Sequence, residues 1–144
     1  MEDEELLESG PIDYIVVEYA QHIPTGEAFE ELLRLVDAGI VRVLDLAFVR
    51  KQDDGSVIAI SWEDVVGEAP EIAVYEGASS GLLGQSDFDE VGNALEPNAA
   101  AAILVWENRW AAPFASAVRR SGGQLVASGR IPIQALLAEL GIEE

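Results

Sequence analysis

Hydrophobic residues fall in short runs along the first half of the chain, and their spacing predicts a strand, a helix and a hairpin. The run IDYIVVEY, residues 12–19, is β-branched and aromatic with apolar residues on both alternating faces. This pattern predicts a strand in the interior of a sheet, covered on both sides. Apolar residues then recur at helical spacing between Thr25, which can cap a helix, and Gly39, which can end one. A long apolar strand over 40–51 leads through the turn signal QDDG into SVIAIS, which predicts a hairpin.

The second half of the chain is less regular. Glycine and proline interrupt residues 62–84, which predicts short helical or extended pieces there. A short helix is predicted to begin at Ser86 and to end before Pro97, followed by an apolar strand over 98–107.

Three further elements are predicted to follow. A helix runs from about Trp110 to Ser121 and is closed by two glycines, QLVAS forms a strand, and Pro132 opens a last helix. The predicted order is β-α-β-β-α-β followed by α-β-α. It indicates an α+β fold, a ferredoxin-like split βαβ sheet with an added C-terminal α-β-α extension. Residues 1–9 are predicted to be an acidic flexible N-terminus, and residues 10–144 a single α+β domain.

The second predicted strand is apolar on both sides, so neither side is suited to water. Either the last helix covers the second face of the sheet, or another subunit does. The sequence therefore predicts a homodimer or higher homo-oligomer, with a possible interface at Val41, Val43, Leu44, Leu46 and Phe48.

Charge and composition narrow the classes of partner. The 27 acidic residues against 8 basic ones give a net charge of −19, which opposes binding to nucleic acid or to an anionic membrane surface. The acidity favours solubility, while attraction of an unidentified basic protein partner or of cations is the alternative. The longest apolar stretch, residues 99–106, is too short to span a bilayer, and the acidic start is unlike a signal peptide. We therefore expect a cytoplasmic protein that does not enter membranes.

No catalytic, metal-binding or cofactor-binding residue is predicted. The chain has no cysteine and one histidine, His22, which is more simply explained as a solvated loop residue than as a general base. Asp13 and Asp45 interrupt apolar strands, and arginines or backbone amides are their expected partners.

The stretch LVWENRWAAPFA, residues 104–115, places polar residues between two tryptophans where a strand is predicted to meet a helix. Asn108 falls at the predicted cap position, and Glu107 is expected to pair with an arginine (Arg42, Arg109 or Arg130) or to accept helix amides. A structural role explains the cluster, but a helix start beside aromatic walls also suits a small polar ligand. The candidate ligand or structural cluster is Trp106, Glu107, Asn108, Arg109 and Trp110.

Three segments carry a resemblance to a known family: GPIDYIVVEY, GIVRVLDLAFVRKQDDGSV and ALEPNAAAAILVWENRWAAPFASAVRRSGGQLVASGRIP. Together they resemble an uncharacterised actinobacterial family with a domain of unknown function, over almost the whole chain. The ALEP and GG-containing segments are also distantly similar to stress-associated bacterial membrane proteins that carry a glycine-zipper insert. The corresponding place here holds only GASSGLLG, without the apolar helix of those proteins. The resemblance implies no activity, cofactor or catalytic residue.

Two hypotheses about function follow. The first is a self-associating domain without enzymatic activity, with a scaffold or stress-related role suggested by the resemblance alone. The alternative is a small-molecule-binding protein or enzyme that uses the open face of a ferredoxin-like sheet.

Overall fold

A computed structural model of the chain describes most of its length, namely residues 9–20, 27–68, 70–75, 77 and 82–141. His22 and the predicted cap Thr25 lie outside these residues. The strands are β1 (Ile12–Tyr19), β2 (Val41–Lys51), β3 (Val57–Ala59) and β4 (Ala100–Asn108). The helices are α1 (Glu27–Asp37), α2 (Trp62–Glu68), α3 (Gln85–Gly92), α4 (Ala112–Arg120) and α5 (Ile133–Glu139), with 3-10 helices at Pro70–Tyr75 and Arg109–Ala111.

The four strands form one antiparallel sheet in the order β1-β4-β2-β3. Because β4 is antiparallel to both of its neighbours, β1 and β2 run in the same direction with β4 between them. The β1-α1-β2 unit is therefore split by a third strand. In a ferredoxin-like sheet the inner strands are β1 and β3, whereas here they are β4 and β2. The α+β class is confirmed, and the ferredoxin-like topology is not.

The prediction that residues 12–19 lie in the interior of the sheet is wrong. Among the described residues, β1 pairs with β4 alone, from Ile12 opposite Glu107 to Tyr19 opposite Ala100, and it ends the strand order. Six of its eight side chains are exposed. The apolar composition that suggested an interior strand therefore belongs to an edge strand with exposed side chains on both faces.

A β-bulge in β2 changes which side chains share a face. The pairing between β2 and β4 shifts between Val43 and Asp45, so Leu44 is an extra residue in the strand. Strict alternation places Val43 and Phe48 on opposite faces, but both belong to the cluster around Phe29. The extra residue reverses the alternation of side chains before it, so that Val43 lies on the same side of the sheet as Leu46 and Phe48.

Both faces of the inner strands are covered by the chain itself. One cluster joins Phe48 and Leu46 of β2 to Phe29 of α1, Val65 of α2 and Ile72 of the 3-10 helix. The other cluster lies on the opposite face, where Val49 and Ile103 pack with Phe88 and Val91 of α3 and with Leu95. The second face is therefore covered over β2 and β3 by α3, not by the last helix.

The C-terminal part of the chain departs from the prediction. Helix α4 forms where a helix is expected, but the predicted strand QLVAS does not form, since residues 123–132 are neither helix nor strand. Every residue from 121 to 136 is exposed. Strand propensity alone does not make a strand, because a strand needs a neighbour to receive its backbone hydrogen bonds. In the described residues no helix has the length and apolar character needed to cross a membrane.

Tyr75, a buried member of the first cluster, links the 3-10 helix Pro70–Tyr75 to α1 by a hydrogen bond. Its buried hydroxyl donates a hydrogen bond of 2.8 Å to the Phe29 carbonyl. Burial, together with the nearby charge of Asp37, raises the pKa of Tyr75 to about 12 from its ordinary value of 10.0. The folded chain therefore holds this proton at a pH where the unfolded chain releases it.

This difference predicts a loss of stability in alkali. As pH rises from about 10 to about 12, the unfolded state loses the Tyr75 proton and the folded state keeps it, so the free energy of unfolding should fall. Tyr75→Phe should remove this part of the pH dependence and cost about 1 kcal/mol at neutral pH through the lost hydrogen bond. Urea denaturation of both proteins across the range is the measurement. Parallel pH curves for the two proteins would contradict the assignment.

Candidate functional site

The stretch that joins β4 to α4 is organised around Asn108. The side-chain oxygen of Asn108 accepts hydrogen bonds from the indole nitrogens of Trp106, at 3.0 Å, and Trp110, at 3.3 Å. Its amide nitrogen donates to the Pro11 carbonyl at 3.0 Å and to Asp13 Oδ2 at 2.7 Å. Asn108 therefore ties both tryptophans to the start of β1.

The prediction that Asn108 caps a helix is wrong. Asn108 is the last residue of β4, and its side chain makes no capping hydrogen bond to the turn that follows. A 3-10 helix, Arg109–Ala111, separates the strand from α4, so the helix begins two residues later than predicted, with Pro113 in its first turn. Proline is tolerated in the first turn of a helix, because the backbone N–H groups of that turn have no carbonyl partner within the helix.

Glu107 is buried, and both of its oxygens are engaged. Oε2 accepts a hydrogen bond of 2.8 Å from the Gly10 amide, and Oε1 lies 3.0 Å from Nε of Arg42. The Nε–H does not point along that line, so the contact is an ion pair without a hydrogen bond. Of the three predicted arginine candidates, Arg42 is the partner found.

Gly10 is a residue of this site that sequence reasoning missed. A β-carbon at this position would collide with the Asn108 carbonyl, so only glycine lets the chain approach closely enough for its amide to reach Glu107. The neighbouring Ser9 is also buried, and its carbonyl accepts a 2.7 Å hydrogen bond from Arg119 of α4. The start of β1, the end of β4 and the end of α4 thus meet in one place.

The remaining members of the predicted cluster face outward. Trp110 is 68% exposed and Arg109 is exposed, while Trp106 is half-buried. Sequence alternation is confirmed here, since Trp106 and Leu104 line one face of the sheet while Val105 lines the other. The five residues are neighbours, but they do not converge on one enclosed polar cavity.

Asn108→Ala tests how much this junction contributes to folding. The variant removes the acceptor of both indole N–H groups and the donor to Pro11 and Asp13, so we expect a loss of about 1–2 kcal/mol in the free energy of unfolding. Tryptophan fluorescence followed in urea measures it. A variant as stable as the parent would mean that water replaces these bonds without cost.

Two apolar grooves flank β1, one on each face of the sheet. The α1 groove has a volume of about 460 Å³ and lies between α1 and the outer half of the sheet. Only Glu31 and Asn108 among its lining residues carry a charged or amide side chain. Burial against the first core cluster raises the pKa of Tyr19 above its ordinary value. Its main apolar lining residues are Ile15, Val17, Tyr19, Leu32, Leu35, Leu104 and Trp106.

The α3 groove, on the other face, has a volume of about 590 Å³ and is more acidic. Asp13, Asp87 and Glu90 line it beside Ile12, Tyr14, Val16, Leu82, Val91 and Val105. We call β1 and these two grooves the β1 surface. Its most exposed apolar side chain is Tyr14, at 73%. Apolar exposure on both faces of an edge strand is uncommon in a chain that stays alone, because edge strands are normally protected by charge or cover.

The predicted interface residues lie on β2 and are mostly buried within their own chain. Val41, Leu44, Leu46 and Phe48 are buried within their own chain, and Val43 is half-buried. Val41 and Leu46 form the inner wall of the α1 groove. Exposed apolar side chains of the sheet are instead concentrated on β1, which β4 separates from β2.

The acidic residues singled out in the sequence do not form a catalytic pair. Asp45 is buried beside the bulge and accepts a 3.2 Å hydrogen bond from the Leu83 amide. Asp13 is exposed on β1 and receives the Asn108 amide, and β4 separates the two strands. Within the described ranges, no group of three or more histidine or acidic residues is arranged to hold a metal ion.

Comparisons with known proteins give one match. No curated protein and no solved structure is similar to the chain at a significant level. A family of unknown function, DUF6325, matches residues 8–142. That span contains every strand and helix of the fold together with the β1 surface and the Asn108 junction. The resemblance to a domain-of-unknown-function family is thereby confirmed, and the chain belongs to the DUF6325 family.

Proposed function

We propose that this protein is a non-enzymatic domain that associates with copies of itself through the β1 surface, as a scaffold or in a stress-related assembly. The observation that supports the proposal is the position of β1, an edge strand with apolar side chains on both faces and an open groove beside each face. Covering such a surface with protein removes apolar area from water at roughly 25 cal/mol per Å².

The free energy of burying apolar surface favours contact of β1 with a second polypeptide over contact with water. Ile12, Val16 and Val17 are 37–45% exposed, and Tyr14 more so, in a segment whose second edge pairs with no strand among the described residues. A second polypeptide can satisfy the backbone groups of that edge by strand pairing and bury the side chains at the same time. Identical copies are the simplest source of such a polypeptide, since closed homo-oligomers are the commonest assemblies.

Light scattering coupled to size exclusion tests the proposal. We expect the parent to be a dimer or larger at micromolar concentration, and Tyr14→Asp to shift it toward the monomer. Val74→Asp is the matched control, because Val74 is 62% exposed on the 3-10 helix away from β1. A parent that stays monomeric at high concentration overturns the proposal, as does a control that dissociates equally.

The α1 groove supports a second candidate function, binding of a small apolar molecule. Its lining is almost wholly apolar, its volume suits a small ligand, and Trp106 and Asn108 stand at its border. Titration with an apolar fluorescent probe, read through energy transfer from tryptophan, tests this candidate. Quenching that Leu104→Glu abolishes and Val74→Glu leaves intact would support a binding site in the groove, whereas equal quenching in both variants would count against it.

A further inference from the structure

In the part of the chain that the structure describes, two exposed apolar features complement one another. One is the β1 surface; the other is the C-terminal segment from residue 123 to residue 141, which we call the arm. Within the arm Leu125, Val126 and Ile131 are 75–93% exposed, and Ile133, Leu136 and Leu140 are 50–64% exposed. We propose that the arm of one copy docks on the β1 surface of a second copy. This inference rests on the proposed self-association and specifies what covers the surface.

The first half of the arm matches the free edge of β1. Residues 124–128, QLVAS, carry strand propensity but form no strand in their own chain. In an extended conformation Leu125 and Ala127 point to one side and Val126 to the other. Most strands at a sheet edge have one polar side, but β1 is apolar on both faces, so both sides of this segment find apolar neighbours there.

The second half of the arm matches the α1 groove. Helix α5 carries Ile133, Leu136, Leu137 and Leu140 at positions i, i+3, i+4 and i+7, which form one apolar stripe. The α1 groove is the apolar one of the two, since acids concentrate in the α3 groove. A helix beside α1 would cover the half of the sheet face that α1 leaves open.

Charge also favours the arm as the occupant. Two copies that each carry a net charge of −19 repel one another. The arm adds little to this repulsion, because its residues 123–141 hold Arg130 against a single acid, Glu139. The β1 surface presents Asp13, Asp87 and Glu90 at its rim. The arm can therefore approach the acidic surface of another copy without the repulsion that the net charge of the rest of the chain causes.

The arm is available to a second copy because the described part of its own chain leaves residues 123–136 exposed. It leaves the end of α4, which Arg119 holds beside Ser9 at the start of β1, yet residues 123–136 remain exposed. Exchange of such arms between two copies is reciprocal, so each copy gives one arm and receives one around a twofold axis. Gly122 and Gly123 provide the turn from which the arm departs, with Gly122 in the left-handed conformation.

A substitution on the arm tests the proposal against a control on the same helix. Leu136→Asp introduces a charge into the apolar stripe, and Ala135→Asp introduces it on the opposite side of α5. Because each dimer buries two such leucines, we expect Leu136→Asp to weaken dimerisation on the order of 100-fold and Ala135→Asp to change it little. A chain that ends at Gly122 should be monomeric, with circular dichroism checking that it stays folded.

Cross-linking identifies the contact, because the chain contains no cysteine. Val17→Cys and Leu125→Cys proteins are prepared separately, mixed, and treated with a short thiol-specific cross-linker. We expect a cross-linked product that contains one copy of each variant. Replacing Val17→Cys by Gln52→Cys, in the exposed turn between β2 and β3, should abolish it.

The outcomes separate the two proposals. A monomeric parent overturns self-association itself and the arm exchange with it. A parent dimer that survives both loss of the arm and Leu136→Asp overturns the arm exchange alone and leaves self-association standing. A chain that carries both cysteines and cross-links only within itself also overturns the exchange, because the arm then covers its own β1.

Discussion

Replacing Phe48 with alanine should lower the free energy of unfolding by about 3–5 kcal/mol. Phe48 is 3% exposed, and its ring centre lies 6.0 Å from that of Phe29 and 5.8 Å from that of Trp62, the latter in an edge-to-face arrangement. Truncation removes a large apolar group and leaves a cavity between α1, α2 and the sheet, and the surrounding backbone can close only part of it. Urea denaturation followed by circular dichroism measures the loss.

Phe114→Ala is the matched control for this prediction. Phe114 is 75% exposed on α4, so the same truncation should change stability by about 0.5 kcal/mol or less. The comparison also separates folding from assembly, since Phe48 contributes to the core of its own chain. Equal losses for the two variants would contradict the burial of Phe48, and a fully stable Phe48→Ala that dissociates a dimer would return Phe48 to the interface.

The elements that depend on local signals were predicted from the sequence nearly to the residue. Strand β2 and the hairpin to β3 follow from an apolar run and a turn signal, and Gly39 and Gly55 adopt the left-handed conformation that such turns require. Helix α1 ends at its predicted stop. These features depend on spacing and on backbone conformation within a few residues, and such information is carried by the segment itself.

The features that depend on distant neighbours could not be predicted in the same way. An apolar strand has the same composition whether it is inside a sheet or at an uncovered edge, so residues 12–19 gave no sign of their position. Helix α3 and Leu95 cover the second face of the sheet, while α2 and the 3-10 helix Pro70–Tyr75 pack on the first face. Glycine and proline interrupt the hydrophobic pattern over residues 62–75, so the type and bounds of these two short helices could not be predicted. One extra residue at Leu44 was enough to reverse the predicted faces of the first part of β2.

The predicted site was found in part for the same reason. Alternation correctly separated Trp106 from Val105, and a carboxylate in an apolar strand correctly implied an arginine partner. Asn108 was assigned to a helix cap because its neighbours in sequence suggested one, but its partners are Pro11 and Asp13, nearly a hundred residues away. Gly10 carried no signal at all, since close approach of two backbone segments is a property of the folded chain.

Replacing Glu107 with alanine should lower the free energy of unfolding by about 2–3 kcal/mol. The change leaves the Gly10 amide without its acceptor in a buried position and removes the negative partner of Arg42. The full penalty for breaking a buried ion pair does not apply, because the Arg42 side chain is 38% exposed and water can solvate part of its charge.

Glu107→Gln separates the two contacts. A glutamine oxygen can still accept the Gly10 hydrogen bond but carries no charge, so we expect a smaller loss, about 1 kcal/mol, that reflects the ion pair with Arg42. Arg42→Gln alone and together with Glu107→Gln completes a double-mutant cycle, in which the coupling free energy should also be about 1 kcal/mol. Additive losses in that cycle would mean that the 3.0 Å approach of Arg42 contributes nothing to folding.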